Sequence, residues 1–158
     1  MTPPLHPALE PIAFLLGTWV GEGTGEYPTI EPFSYRETLT FGHVGKPFLV
    51  YTQRTQGLDG APMHAETGYW RSVGDGLLEV VLAQPFGAVE ISEGSANGGT
   101  IELHTTSVVT TATAKRVDEV VRRFTVTGDE MAYDVAMAAV GVPLTHHLSA
   151  RLLRNTDR

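Results

Sequence analysis

Three stretches of the chain hold side chains whose type and spacing can do chemistry. The first is Gly17-Thr18-Trp19-Val20-Gly21-Glu22-Gly23-Thr24-Gly25-Glu26-Tyr27-Pro28-Thr29-Ile30. On an extended strand Trp19, Gly21, Gly23 and Gly25 share one face, so an indole is followed by three positions that carry no side chain. Two readings stay open: glycine relieving crowding where a barrel strand bends, or room for close approach of a flat ligand. A phosphate loop is excluded, because no Lys-Ser/Thr pair and no helix start follow. The second stretch is Met63 to Arg71, where His64, Glu66, Gly68 and Trp70 share a face. That spacing sets an imidazole and a carboxylate about 7 Å apart. The pair is either half of a His/carboxylate metal site or a buried support, with the Glu fixing the His tautomer or meeting an Arg from a neighbouring strand.

The third stretch is Thr145 to Leu153. Its adjacent histidines, His146 and His147, point to opposite faces of a strand and cannot both ligate one metal. Apolar alternation favours His146 for the inside, since it aligns with Leu144, Leu148, Ala150 and Leu152, whereas His147 aligns with Thr145, Ser149, Arg151 and Leu153. The remaining histidines are weaker candidates: His6 is in a Pro-rich leader, His43 in a turn, and His104 on a strand without a partner that the sequence identifies. Lys115 follows the Thr110–Ala114 stretch, either as a solvated surface lysine or as a cation at a barrel mouth. No Ser-His-Asp order, GxSxG elbow or HExxH motif is present, which leaves hydrolase and metalloprotease readings without an anchor.

These groups have to be positioned by strands. Pro11 suits the first position of a short helix ending at Gly17, with Ile12, Phe14, Leu15 and Leu16 as its apolar part. Beyond it the texture is β-like, and ten strands are expected: 18–26, 34–41, 48–56, 63–72, 77–84, 88–93, 100–109, 116–127, 131–140 and 144–153. In the second of these, Tyr35, Leu39 and Phe41 share a face with Glu37. The links are short and rich in Gly, Asp and Asn, which implies antiparallel neighbours. The expected fold is therefore all-β, a ten-stranded antiparallel up-and-down β-barrel of the calycin or lipocalin type with a short N-terminal helix, because closure removes exposed sheet edges. A barrel of more than about eight strands has an interior too wide for side chains alone and tends to hold a ligand.

Composition bounds the chemistry. The 158 residues fit a single domain, 1–158, with a flexible leader over 1–10. The absence of cysteine removes disulfides, Cys-based zinc sites, iron–sulfur clusters, covalent haem attachment and thiol nucleophiles. A net charge of −7, with no Lys/Arg run longer than the pair Arg122-Arg123, argues against nucleic acid as a partner. The Pro-rich N-terminus, with Glu10 and no basic residue ahead of its apolar stretch, reads neither as a signal peptide nor as a membrane span, so a cytoplasmic location is expected.

Gly17-Thr18-Trp19-Val20-Gly21-Glu22-Gly23 follows the GxWxGxG pattern, and it runs on into Tyr27-Pro28-Thr29-Ile30. Together with His64-Ala65-Glu66-Thr67-Gly68, Arg71, Ala114-Lys115-Arg116-Val117, Pro143-Leu144, His147-Leu148 and Ala150, this resembles the nitrobindin family over nearly the whole chain. The resemblance implies a barrel holding one haem b per subunit, resting as Fe(III) and bound non-covalently by one axial imidazole. It carries that ligand onto His147, against the alternation that favours His146. It also places Thr29 and Lys115 near the cofactor and gives Gly17, Trp19, Gly21 and Gly23 structural roles. The implied activity is isomerisation of peroxynitrite to nitrate, with nitric oxide as a second ligand of the iron and a homodimer as the assembly consistent with the likeness. Two rivals remain. One is a non-catalytic carrier of a fatty acid, using Arg36, Arg54 or Arg71 for the carboxylate. The other is a non-haem metal site built from His64, Glu66 and a further His.

Overall fold

The computed structural model describes residues 1–156. A short 3-10 helix, Pro7–Leu15, precedes ten strands: β1 Gly17–Tyr27, β2 Ile30–His43, β3 Leu49–Gln56, β4 Pro62–Ser72, β5 Leu77–Gln84, β6 Ala88–Asn97, β7 Thr100–Thr110, β8 Val117–Thr127, β9 Glu130–Ala139 and β10 Val142–Asn155. Each strand pairs antiparallel with the next, and β1 pairs with β10, so the sheet is a closed up-and-down barrel as expected. Some strands outrun their expected limits. The β1–β2 and β9–β10 connections are two-residue turns, the latter with Val140 and Gly141 at φ 47° and 83°, and such turns carry the ladder almost to the bend.

The helix differs from the expectation. It starts at Pro7 rather than Pro11 and is a 3-10 helix with Pro11 inside it, Pro7 supplying the fixed φ that suits a first helical position. His6 caps it, its Nδ1 accepting from the Ala8 N–H at 3.2 Å. Residues 7–10, expected in the leader, are thus helical, and Leu9, Ile12 and Leu15 are fully buried.

The helix plugs one end of the barrel. The Trp19 indole N–H donates to the Leu15 carbonyl at 2.8 Å, and the Arg154 guanidinium stacks 4.2 Å over the Trp19 ring. Arg154 also donates to the carbonyls of Phe14 and Leu16 and to Asp129. One β10 arginine therefore ties the plug to the barrel wall. Since β1 runs away from the plug, the turns at 28–29, 57–61, 85–87, 111–116 and 140–141 surround the opposite, open end.

The glycine face of β1 is explained by crowding rather than by ligand space. A Cβ on Gly21 would lie 2.0 Å from the Arg151 carbonyl oxygen of β10. On Gly23 and Gly25 it would meet the rings of Tyr35 and Phe33 at 2.4 and 2.1 Å. The room that three absent side chains leave is filled by backbone and by two aromatic rings of β2, so the flat-ligand reading of this face is set aside. Gly21→Ala should lower the free energy of unfolding by about 3 kcal/mol, the upper range for overpacking, since the obstructing atom is backbone and cannot rotate away. Urea denaturation checks this, and a change below about 1 kcal/mol would contradict it.

Candidate functional site

The two histidines of β10 are separated by a break in strand register. His146 pairs with Ala136 and Leu148 with Val135, so His147 is the extra residue of a β-bulge. The bulge reverses the alternation that favoured His146. His147 packs edge-on against Tyr27, ring centroids 5.3 Å apart, and against Phe33 at 6.3 Å. His146 is exposed instead, its Nδ1 3.2 Å from Glu26 Oε1 and its Nε2 2.8 Å from Ser149 Oγ. The alternation-based preference for His146 is therefore corrected, and the physical cause is one inserted residue.

The tautomer of His147 follows from its partner. Nδ1 lies 2.9 Å from the Glu26 carbonyl oxygen, which can only accept, so Nδ1 carries the hydrogen and Nε2 keeps a free lone pair. No partner meets Nε2 among the described residues. Burial pushes the pKa of His147 below its usual 6.5, outweighing the opposing hydrogen bond to Glu26. The ring is a neutral, oriented Lewis base near the open end. Tyr27 is anchored in turn, its hydroxyl donating to the Met137 carbonyl at 2.9 Å and accepting from the Ala139 N–H at 3.0 Å.

The other expected site residues divide between the two ends. Thr29, in the β1–β2 turn, and Lys115, in the loop between β7 and β8, are exposed at the open end. That loop is held to the β9–β10 turn by the Val140 N–H donating to the Arg116 carbonyl at 3.0 Å. Neither residue is hydrogen-bonded to His147. Gly17, at φ +121°, and Trp19 lie at the plugged end instead.

Beneath the open end a polar layer crosses the barrel interior. Glu37 Oε2 accepts from the Tyr133 hydroxyl at 2.6 Å and from Gln53 Nε2 at 2.7 Å. Glu66 accepts from Tyr51 at 2.6 Å and Gln84 at 2.7 Å, and it is 3.4 Å from Arg122, which also meets Glu90 at 3.2 Å. His64 Nε2 is 3.8 Å from Glu66 Oε2, so their shared face is used as a buried support. The Glu66 beside it raises the pKa of His64. Burial alone would push the Glu66 carboxyl up, yet Arg122, His64, Tyr51 and Gln84 together hold it at about 2. Among the described residues no Lys or Arg pairs with Glu37, and burial pushes it up to about 7. Among the described residues no group of three or more His, Asp or Glu is arranged to hold a metal ion, so the His64/Glu66 metal reading gains no third ligand. Arg36, Arg54 and Arg71 face outward, with Arg36 beside Glu22 and Arg71 beside Glu79, and none offers an interior clamp for a fatty carboxylate.

Several contributors escaped sequence reasoning: Glu26 as the orienting carbonyl, Tyr27 and Phe33 as the walls, and Tyr133 and Arg122 within. The signal for Glu37 was visible, as a charged residue sharing a strand face with Tyr35, Leu39 and Phe41.

Residues 8–154 match the family described as "THAP4-like, heme-binding beta-barrel domain". The chain belongs to this family, the nitrobindins. It is 56% identical over 157 residues to a Mycobacterium marinum protein named peroxynitrite isomerase 2, covering 96% of this chain and 98% of that one. A Nocardia farcinica protein named peroxynitrite isomerase is 51% identical, with 96% and 93% covered. The crystal structure of Rv2717c from M. tuberculosis superimposes with a TM-score of 0.90 at 47% identity, covering 96% of this chain and 99% of that chain. No described helix is long and apolar enough to cross a membrane.

The donor set fits a nitrobindin's haem: one neutral imidazole with its Nδ1 engaged, its Nε2 free and two aromatic walls. The acidic layer below has its own consequence. The folded-state pKa of Glu37 lies above the usual 4.5, so its contribution to stability is complete below pH 4.5 and is lost as pH rises to about 7. That contribution is on the order of 3 kcal/mol. Glu37→Gln should flatten the fall in stability across this window and gain relative to wild type above pH 7. Melting temperatures taken at half-unit pH steps test it, and parallel profiles for the two proteins would contradict it.

Proposed function

We propose that this nitrobindin binds one haem b per subunit through His147 Nε2 and, with the iron ferric, isomerises peroxynitrite to nitrate. The observation that carries the reading is the His147 imidazole at the open end of the barrel, with its tautomer set by the Glu26 carbonyl and its Nε2 unpartnered. The names of the relatives from Mycobacterium marinum and Nocardia farcinica support the activity. When bound, ferric haem supplies a Lewis-acidic position at which a small anion can rearrange, and that chemistry is the cofactor's own.

The chain's residues bind and orient. The Glu26 carbonyl fixes the plane and basicity of the His147 ring, while Tyr27 and Phe33 hold it edge-on and keep water from its flanks. Lys115 and Thr29, exposed at the same end, are assigned to the cofactor's rim, Lys115 as a cation for a carboxylate and Thr29 as a hydroxyl. Conversion of ONOO⁻ to NO₃⁻ moves no net proton or electron, so no acid–base residue is required. Nitric oxide is the second small ligand assigned to the iron, the location is cytoplasmic and the assembly a homodimer, which sedimentation velocity checks.

The fatty-acid carrier reading is disfavoured by charge. The buried interior holds Glu37, Glu66 and Glu90 against Arg122, and it would repel a further carboxylate.

Haemin added to the purified chain should give a Soret band in one-to-one titration, and His147→Ala should lose it while His146→Ala keeps it. The ferric form mixed with peroxynitrite should raise the nitrate-to-nitrite ratio. An unchanged ratio with an intact Soret band would remove the enzymatic claim and leave haem binding. The band should also fade on acidification. Because the His147 pKa is lowered, its neutral form persists below 6.5, and both ligation and its share of stability are lost only as pH falls through that lower value. Haem release beginning above pH 6.5 would contradict the assignment.

A further inference from the structure

The buried aromatic rings form a continuous file that starts at the open end, and one pair in it is wired to a base. Phe33 touches the His147 ring at 6.3 Å and the Tyr35 ring at 6.0 Å. The Tyr35 and Tyr133 hydroxyls are 2.7 Å apart, and Tyr133 is 2.6 Å from Glu37 Oε2. A phenol has one proton. Since Tyr133 gives its own to the carboxylate, Tyr35 must donate to Tyr133, and the file has a direction: Tyr35 to Tyr133 to Glu37. Both tyrosines and Glu37 are buried, and isomerisation uses none of them.

We propose that Tyr35, Tyr133 and Glu37 form a proton-coupled hole sink that reduces one-electron oxidants of the nitrogen dioxide class arising at the open end. Peroxynitrite yields such a radical when its O–O bond breaks homolytically instead of rearranging, and only for this oxidant does the proposal rest on the isomerase reading. In the step, Tyr35 gives one electron to NO₂, which leaves as nitrite. The Tyr35 proton passes to the Tyr133 oxygen, and the Tyr133 proton passes to Glu37 Oε2. The products are nitrite, a neutral Tyr35 phenoxyl radical and a neutral Glu37 carboxylic acid, so the negative charge of Glu37 before the step reappears on nitrite. A small reductant of the ascorbate class returns one electron, Tyr133 passes a proton back to the Tyr35 oxygen and Glu37 returns one to Tyr133, so the pair is reset with Glu37 again ionised.

The surroundings explain why the hole settles there. The file continues from Tyr133 through Phe124 at 5.6 Å to Trp70 at 5.5 Å, but among the described residues the Trp70 indole N–H has no acceptor to take its proton. Tyr51 has a carboxylate partner at 2.6 Å, Glu66, but Arg122 and Gln84 already engage that carboxylate. It is held at about 2 and is a poor proton acceptor, whereas Glu37, at about 7, is a good one. Among the described residues Glu37 Oε1 has no partner, and the only other donor to the carboxylate is the neutral Gln53 amide at Oε2, so no cation holds it against the incoming proton.

The test mixes the full chain, as purified and after haemin loading, with peroxynitrite and freeze-quenches it for electron paramagnetic resonance. Tyr69, the exposed phenol, is first changed to Phe so that surface oxidation does not contribute. A neutral tyrosyl radical signal is expected. Tyr35→Phe and Glu37→Gln should each lose it, and Tyr51→Phe should keep it. Equal signals in all three variants, or a signal seen only while Tyr69 is present, would overturn the sink. Glu37→Gln preserves side-chain shape and decides the matter if circular dichroism shows Tyr35→Phe unfolded. Nitrate yield from the haemin-loaded protein is read in parallel. A wild-type chain that makes the radical without raising nitrate sinks the isomerase reading alone, and the reverse result sinks the relay alone.

Discussion

Closure of the ladder between β1 and β10 is the constraint on which the other features depend. At this seam Gly21 pairs with Leu152, Gly23 with Ala150 and Gly25 with Leu148, and the β10 backbone and two β2 rings occupy the space a β1 side chain would need. The glycines let the first and last strands meet without an edge, and the meeting brings Glu26 and Tyr27 of β1 beside the bulged His147 of β10. Without that contact Nδ1 would have no fixed partner. The motif that reads as a fold signature thus also sets the chemistry of an imidazole more than a hundred residues away, 121 positions from Glu26.

Polarity inside the barrel is arranged in depth. Trp19, Leu39, Leu49 and Leu78, with the plug residues Leu9, Ile12 and Leu15, make a fully apolar floor. Above it, Arg122 lies between Glu66 and Glu90 and is held strongly cationic by them, despite burial that works against its charge. A buried triad of this kind adds little net stability compared with apolar residues of similar volume, but removing one member leaves an uncompensated charge. Its effect here is to hold Glu66 ionised while Glu37, outside the triad, is left to its burial. Glu66 shares the arginine and is held at about 2, whereas Glu37 does without it and is pushed up to about 7.

Strand count, topology and barrel closure were legible because turn residues and alternation are local signals. Ten strands expected from Gly- and Asp-bounded runs are the ten observed, with differences confined to their ends. The site was legible only through family resemblance. Period-two alternation pointed to His146, and it failed because a bulge changes phase without leaving a mark in residue type. The glycine face was open to two readings for a similar reason. Which of them held depended on Phe33, Tyr35 and Arg151, residues brought there by strand pairing rather than by sequence proximity. The helix start shifted because two prolines, Pro7 and Pro11, both suit a first helical position, and the earlier one holds it.

The helical plug makes the barrel a cup rather than a tube. With Trp19 and Arg154 sealing the floor, whatever reaches His147 arrives and departs through one doorway. A reaction with a single small anion in and a single small anion out suits such a vessel, because substrate and product never need to pass each other. A bulky or two-substrate chemistry would jam it.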